Sequence, residues 1–163
     1  MKNTFSSMKK LGFFLCLLVI ALTSCDHAYS IDYKLSNSSG HAVTFTSNMY
    51  NDFWKNYPDG ITIEPRQDTI YLIHEGLGSA HLYKAKDYLL SVYEVYGDTI
   101  TFTFDDGRYL KYTKEVGNGP FDFEGDHYIW TTERNQGFLN SWDYYGCLTY
   151  TITEEDYANC IEP

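Results

Sequence analysis

Between Thr99 and Thr113 the chain alternates with a period of two. Ile100, Phe102 and Phe104 take turns with Thr99, Thr101 and Thr103, then Asp105-Asp106-Gly107 intervenes, and Leu110 and Tyr112 return opposite Tyr109 and Lys111. Such alternation places apolar side chains on one face of a strand. An Asp-Gly pair between two such runs is a strong hairpin signal. A chain built this way must bury one face of a sheet, which restricts it to a small set of all-β layer architectures.

The same period recurs elsewhere. Ile31, Tyr33 and Leu35 alternate with Asp32, Lys34 and Ser36, Asn37-Ser38-Ser39-Gly40 reads as a turn, and Val43 and Phe45 follow, which predicts a first hairpin over 31–46. Short strands are expected at Ile61 and Ile63, at 68–73, at 128–133 and at Leu148, Tyr150 and Ile152. Residues 48–60, 75–79, 114–126 and 135–146 read as loops. Leu82, Ala85, Leu89, Val92 and Tyr96 recur at helical spacing, although 89–96 also suits a strand, so 80–96 is open between the two. Thr153-Glu154-Glu155-Asp156 resembles a capping box opening a last helical turn. The expectation is a single antiparallel β-sandwich over 31–163, immunoglobulin-like or Greek-key. It would have about eight short strands and one or two short helices. Sixteen Tyr, ten Phe and three Trp support strands and argue against disorder.

Ahead of this domain, Lys2, Lys9 and Lys10 precede an apolar run from Leu11 to Ala21. That is the order of a secretory signal peptide, and the run is too short to cross a bilayer, which needs about 20 residues. Leu22-Thr23-Ser24-Cys25 closes it and resembles a lipobox, in which the cysteine is acylated and begins the mature chain. The expected organisation is a signal peptide at 1–24, a lipidated tether at 25–30 and the sandwich. The partner of Cys25 would be a lipid bilayer, held by more than one acyl chain such as palmitate. The formal charge is −10, and the leader carries three lysines and no acids, so the mature chain is more acidic still. An acidic surface without a basic patch disfavours nucleic acid as a partner.

The lipobox, the 31–46 segment, the Phe102–Gly107 turn and the closing Tyr150-Thr151-Ile152-Thr153-Glu154-Glu155-Asp156-Tyr157 together resemble small β-sandwich lipoproteins of Bacteroidetes. The resemblance implies a fold and an address in the cell envelope, at the outer membrane, and assigns no catalytic residue. Asp26 followed by His27 leaves the periplasmic and surface faces both open. Asp68-Thr69-Ile70 and Asp98-Thr99-Ile100 look like the short O-glycosylation sites of such envelope proteins, on Thr69 and Thr99.

No catalytic signature stands out. His74-Glu75 lacks the second histidine of a zincin, and no Gly-x-Ser-x-Gly occurs. The aromatic loops are the best binding candidates: Tyr50, Phe53, Trp54 and Tyr57 in one, and Trp142, Tyr144 and Tyr145 in the other. Flat aromatic faces stack on sugars or anchor protein interfaces, and they also serve as plugs over sandwich ends. Asp122, Glu124 and Asp126 alternate beside Gly125 as hard-oxygen ligands would for calcium, the one cofactor considered. Cys147 and Cys160 could form a disulfide only if the tail returns extended, because a strand out and a helical turn back leave their Cα atoms about 10 Å apart. The expected function is a non-enzymatic envelope lipoprotein that binds a glycan or an envelope protein. The alternatives are an adhesin-like or pilin-like assembly subunit and, less favoured, a glycan hydrolase using paired carboxylates.

Overall fold

The structure is a computed structural model that describes residues 28–48, 57–136 and 142–162. Eight strands form two four-stranded sheets packed face to face, so the chain is a β-sandwich. The first sheet has the order β4-β1-β8-β7, from β1 (Ala28–Asn37), β4 (Asp68–Leu77), β7 (Tyr128–Gln136) and β8 (Trp142–Ile152). The second has the order β3-β2-β5-β6, from β2 (Val43–Ser47), β3 (Ile61–Ile63), β5 (Thr99–Phe104) and β6 (Tyr109–Thr113). Helix α1 (Leu82–Tyr96) joins β4 to β5, a 3-10 turn covers Gly119–Phe121, and α2 (Glu154–Ala158) follows β8. All pairings are antiparallel except β1 with β8, which run parallel.

Alternation puts Ile31, Tyr33 and Leu35 of β1, Leu148, Tyr150 and Ile152 of β8, and Ile100, Phe102 and Phe104 of β5 into one core. Aromatic edges lock the layers together: Phe45 meets Tyr71 at 5.3 Å, and Phe102 stacks on Tyr150 at 5.8 Å. The β5–β6 hairpin forms as its sequence demands, with Gly107 at a positive φ of 88°. The capping box is also present. Thr153 Oγ1 accepts from the Asp156 N–H, and the Asp156 carboxylate accepts from the Thr153 N–H and hydroxyl.

Three expectations are corrected. Residues 31–46 are not a hairpin, since β1 and β2 lie in different sheets. Asn37, buried at the end of β1, organises a crossover instead. Its Nδ2 donates to the carbonyls of His41 and Ile63, and its Oδ1 accepts from the N–H and hydroxyl of Ser39. Strand β1 starts at Ala28, which shortens the expected tether. Finally, the expected loops at 75–79 and 135–146 are largely strand: β4 runs on to Leu77, β7 to Gln136, and β8 starts at Trp142.

Residues 82–96 are helical. Ala85, Leu89, Val92 and Tyr93 face the core at spacings of three and four. The helix leaves β4 and enters β5 at the same end of the sandwich, so it closes that end. Tyr33 Oη donates to the Ala85 carbonyl at 2.9 Å, and Tyr88 stacks on His74 at 3.7 Å.

Candidate functional site

The two sheets differ in length. The strands of the first have 9 to 11 residues, while those of the second have 3 to 6. At about 3.3 Å per residue the first sheet overhangs the second by roughly 15 Å. Helix α1 covers the β4/β1 half of that overhang through Tyr29, Tyr33 and His74. Among the described residues the β8/β7 half is less completely covered. There Trp130, Thr132, Arg134 and Tyr144 line a trough with Ser79, Ala80, His81 and Leu82, where α1 begins.

Register explains the lining. Arg134 pairs with Tyr144, Thr132 with Gly146 and Trp130 with Leu148, so all four side chains stand on the inward side of the sheet. The Arg134 guanidinium carbon lies 5.3 Å from the Tyr144 ring centroid. Gly146 is needed because Trp130 lies across its backbone and fills the place of a side chain. Gly76 meets the Tyr29 ring in the same way across β4 and β1. Helix α1 begins at His81 with no side-chain cap and no acid in its first turn, and this leaves its partial positive charge beside the trough. The arrangement offers two aromatic walls and polar groups at hand, a combination suited to binding a flat or polar ligand.

The expected site residues divide. Tyr144 lines the trough. Tyr145 points to the opposite, outer face, 45% exposed, and Tyr57 is exposed ahead of β3. Trp142, Tyr144 and Tyr145 therefore sit on a strand and not in a loop. The side chain of Trp142 lies outside the described residues, as do Cys25, Tyr50, Phe53 and Trp54. Thr69 is half-buried opposite Leu35, and the Thr99 hydroxyl donates to Asp98 Oδ1 at 3.0 Å. Trp130, Thr132 and Arg134 escaped sequence reasoning. The available signal was polar Thr132 and Arg134 on the face that Tyr128 and Trp130 mark as inward.

The calcium triad does not assemble. Asp122 Oδ1 accepts from the Glu124 N–H, and Glu124 pairs with Lys86 at 2.7 Å. Among the described residues no three His, Cys, Asp or Glu side chains converge as metal ligands. Cys147 and Cys160 are free thiols. Cys147 faces outward beside Asp32 and Thr131, while Cys160 Sγ contacts the Asp156 carbonyl after α2.

The opposite end is closed by bonds among its own side chains. Asp106 accepts from Arg108 Nε at 2.7 Å and from the Tyr157 hydroxyl at 2.9 Å, and His41 stacks on Tyr157 at 3.7 Å. Desolvation pulls the Asp106 carboxyl up, but the Arg108 hydrogen bonds outweigh it and hold the group low. Hydrogen bonds from Lys34 and Ser36 hold Asp68 low, and those from Asn48 and Thr99 do the same for Asp98.

No protein-family model matches the chain. No curated protein matches it either.

Proposed function

We propose that the chain is an envelope lipoprotein, acylated at Cys25, that binds a glycan or an envelope-protein segment without catalysis. The partly uncovered overhang carries this reading. Trp130 and Tyr144 offer ring faces in a trough where Thr132 and Arg134 can hydrogen-bond a ligand. The test is a glycan array and a solid-phase binding assay against isolated envelope proteins, using the extracted full-length protein with Trp130→Ala and Tyr144→Ala. An anchoring aromatic contributes 2 kcal/mol or more, so each variant should weaken binding about thirtyfold. Unchanged profiles in folded variants would remove the trough from the function.

A second reading, an assembly subunit, is favoured by one observation. β4 and β7 are the edges of the long sheet, and β4 exposes Ile70, Ile73 and Leu77 along ten residues. Edges of this kind accept an added strand. Concentration-dependent sedimentation that Ile73→Lys abolishes would favour assembly over ligand binding.

A further inference from the structure

Ala28, the first residue of β1, pairs with Leu77, the last residue of β4. Both lie at the helix-closed end. Cys25 is three residues earlier, and three residues reach at most about 10 Å. An acyl group on Cys25 therefore holds this end of the sandwich close to its membrane.

The same end carries five of the ten large apolar side chains exposed among the described residues. Leu77 is 68% exposed at the end of β4, Leu82 and Tyr83 open α1, Val116 follows β6, and Tyr57 precedes β3. Leucine and tyrosine are suited to the boundary between headgroups and acyl chains, where a ring can be half wet. A short tether also raises the effective concentration of bilayer at this rim, so weak contacts suffice.

We infer that the rim formed by Leu77, Leu82, Tyr83 and Val116 rests on the phospholipid bilayer. The trough then opens at the membrane surface and takes ligands presented there. This rests on acylation of Cys25.

Two other orientations are less suitable. The outer face of the long sheet has Ile70, Ile73 and Ile129, but it also carries Asp32, Asp68, Glu75 and Glu133 against Lys34, and Lys34 is already bonded to Asp68. The far end presents Asp105, Asp106, Glu154 and Glu155. Anionic headgroups repel both surfaces. Around the rim Lys84, Lys114 and Arg134 stand with Asp59 and Glu115, so charge is close to balanced there and the contact is chiefly apolar and should resist salt.

The test uses full-length protein processed in a lipoprotein-exporting bacterium and reconstituted into phosphatidylethanolamine–phosphatidylglycerol vesicles that carry a headgroup quencher. Single fluorophores are placed through Tyr83→Cys, Leu77→Cys, Ile73→Cys or Asp105→Cys in a Cys147→Ser, Cys160→Ser background. Mass spectrometry establishes acylation of Cys25 independently. The expected result is several-fold stronger quenching at positions 83 and 77 than at 73 and 105, unchanged by added salt. Equal quenching at all four positions, or strongest quenching at 73, in an acylated chain overturns the orientation alone. A chain without an acyl group overturns the attachment and the orientation with it.

Discussion

The indole of Trp130 lies across the backbone of Gly146 on the neighbouring strand, in the space where a side chain at 146 would stand. Alanine in place of a strand glycine ordinarily gains about 0.5–1 kcal/mol. Here Gly146→Ala should lose about 1–3 kcal/mol, because the ring must be driven from its place. In a Trp130→Ala background the same substitution should become neutral or stabilising. Urea midpoints of the four proteins in this cycle check both signs.

Two buried tyrosines should respond in opposite ways to loss of the hydroxyl. Tyr33→Phe removes the bond that docks α1 through the Ala85 carbonyl and should cost about 1 kcal/mol. The Tyr150 hydroxyl is buried without a partner among the described residues, the Tyr112 hydroxyl standing near it short of bonding geometry. Tyr150→Phe should be neutral or stabilising, since an unpaired buried hydroxyl is itself a cost. Equilibrium denaturation of the two variants under one set of conditions decides.

His74 should make the fold weaker in mild acid. Burial, then the charge of Lys84, lowers its pKa below the ordinary 6.5. The unfolded chain therefore binds a proton at a higher pH than the folded one. The contribution of His74 is complete above about pH 6.5 and is lost as the pH falls toward its folded pKa. His74→Phe keeps a ring against Tyr88 and should flatten the dependence of stability on pH across that window. The slope of the unfolding free energy against pH, compared between wild type and variant, is the measurement.

Both cysteines of the domain should alkylate in the denatured chain without reductant, as peptide mass mapping would show. In the folded chain Cys160 should react slowly, because burial pushes its thiol up and thins the thiolate population. Rates measured in Cys147→Ser isolate it. A single disulfide-linked peptide pair would contradict the free thiols.

The parts of the fold legible in the sequence are those that depend on near neighbours. The β5–β6 hairpin and the capping box at Thr153 and Asp156 each follow from spacing within a few residues, while the spacing of Ala85, Leu89 and Val92 left helix and strand both open until the structure showed a helical face. The misread parts depend on distant ones. β1 pairs with β4 and β8 and not with β2, and Asn37 reaches Ile63 in the other sheet, contacts that no local pattern encodes. The β7 and β8 extensions lack an apolar period because the second sheet ends beneath them, so Thr132, Arg134 and Gly146 take inward positions. The site lies where the alternation fails: Trp130 and Thr132 belong to the strand expected at 128–133, while Tyr144 belongs to the expected loop at 135–146. Tyr144 was singled out for its ring alone, and its neighbours went unnoticed.

The parallel pairing of β1 with β8 has a consequence for biogenesis. The Ser38 hydroxyl at the end of β1 bonds the Ile152 carbonyl, 114 positions away. A chain that emerges amino end first offers β1 long before β8 exists, and contacts of such separation form late. Until β8 is made the earliest strand must wait with one edge bare, able to pair with β4 but not to complete its sheet. Maturation of this molecule is thus timed by its final stretch, and a nascent form cut short before β8 would present a sticky, half-built layer to whatever chaperones it meets.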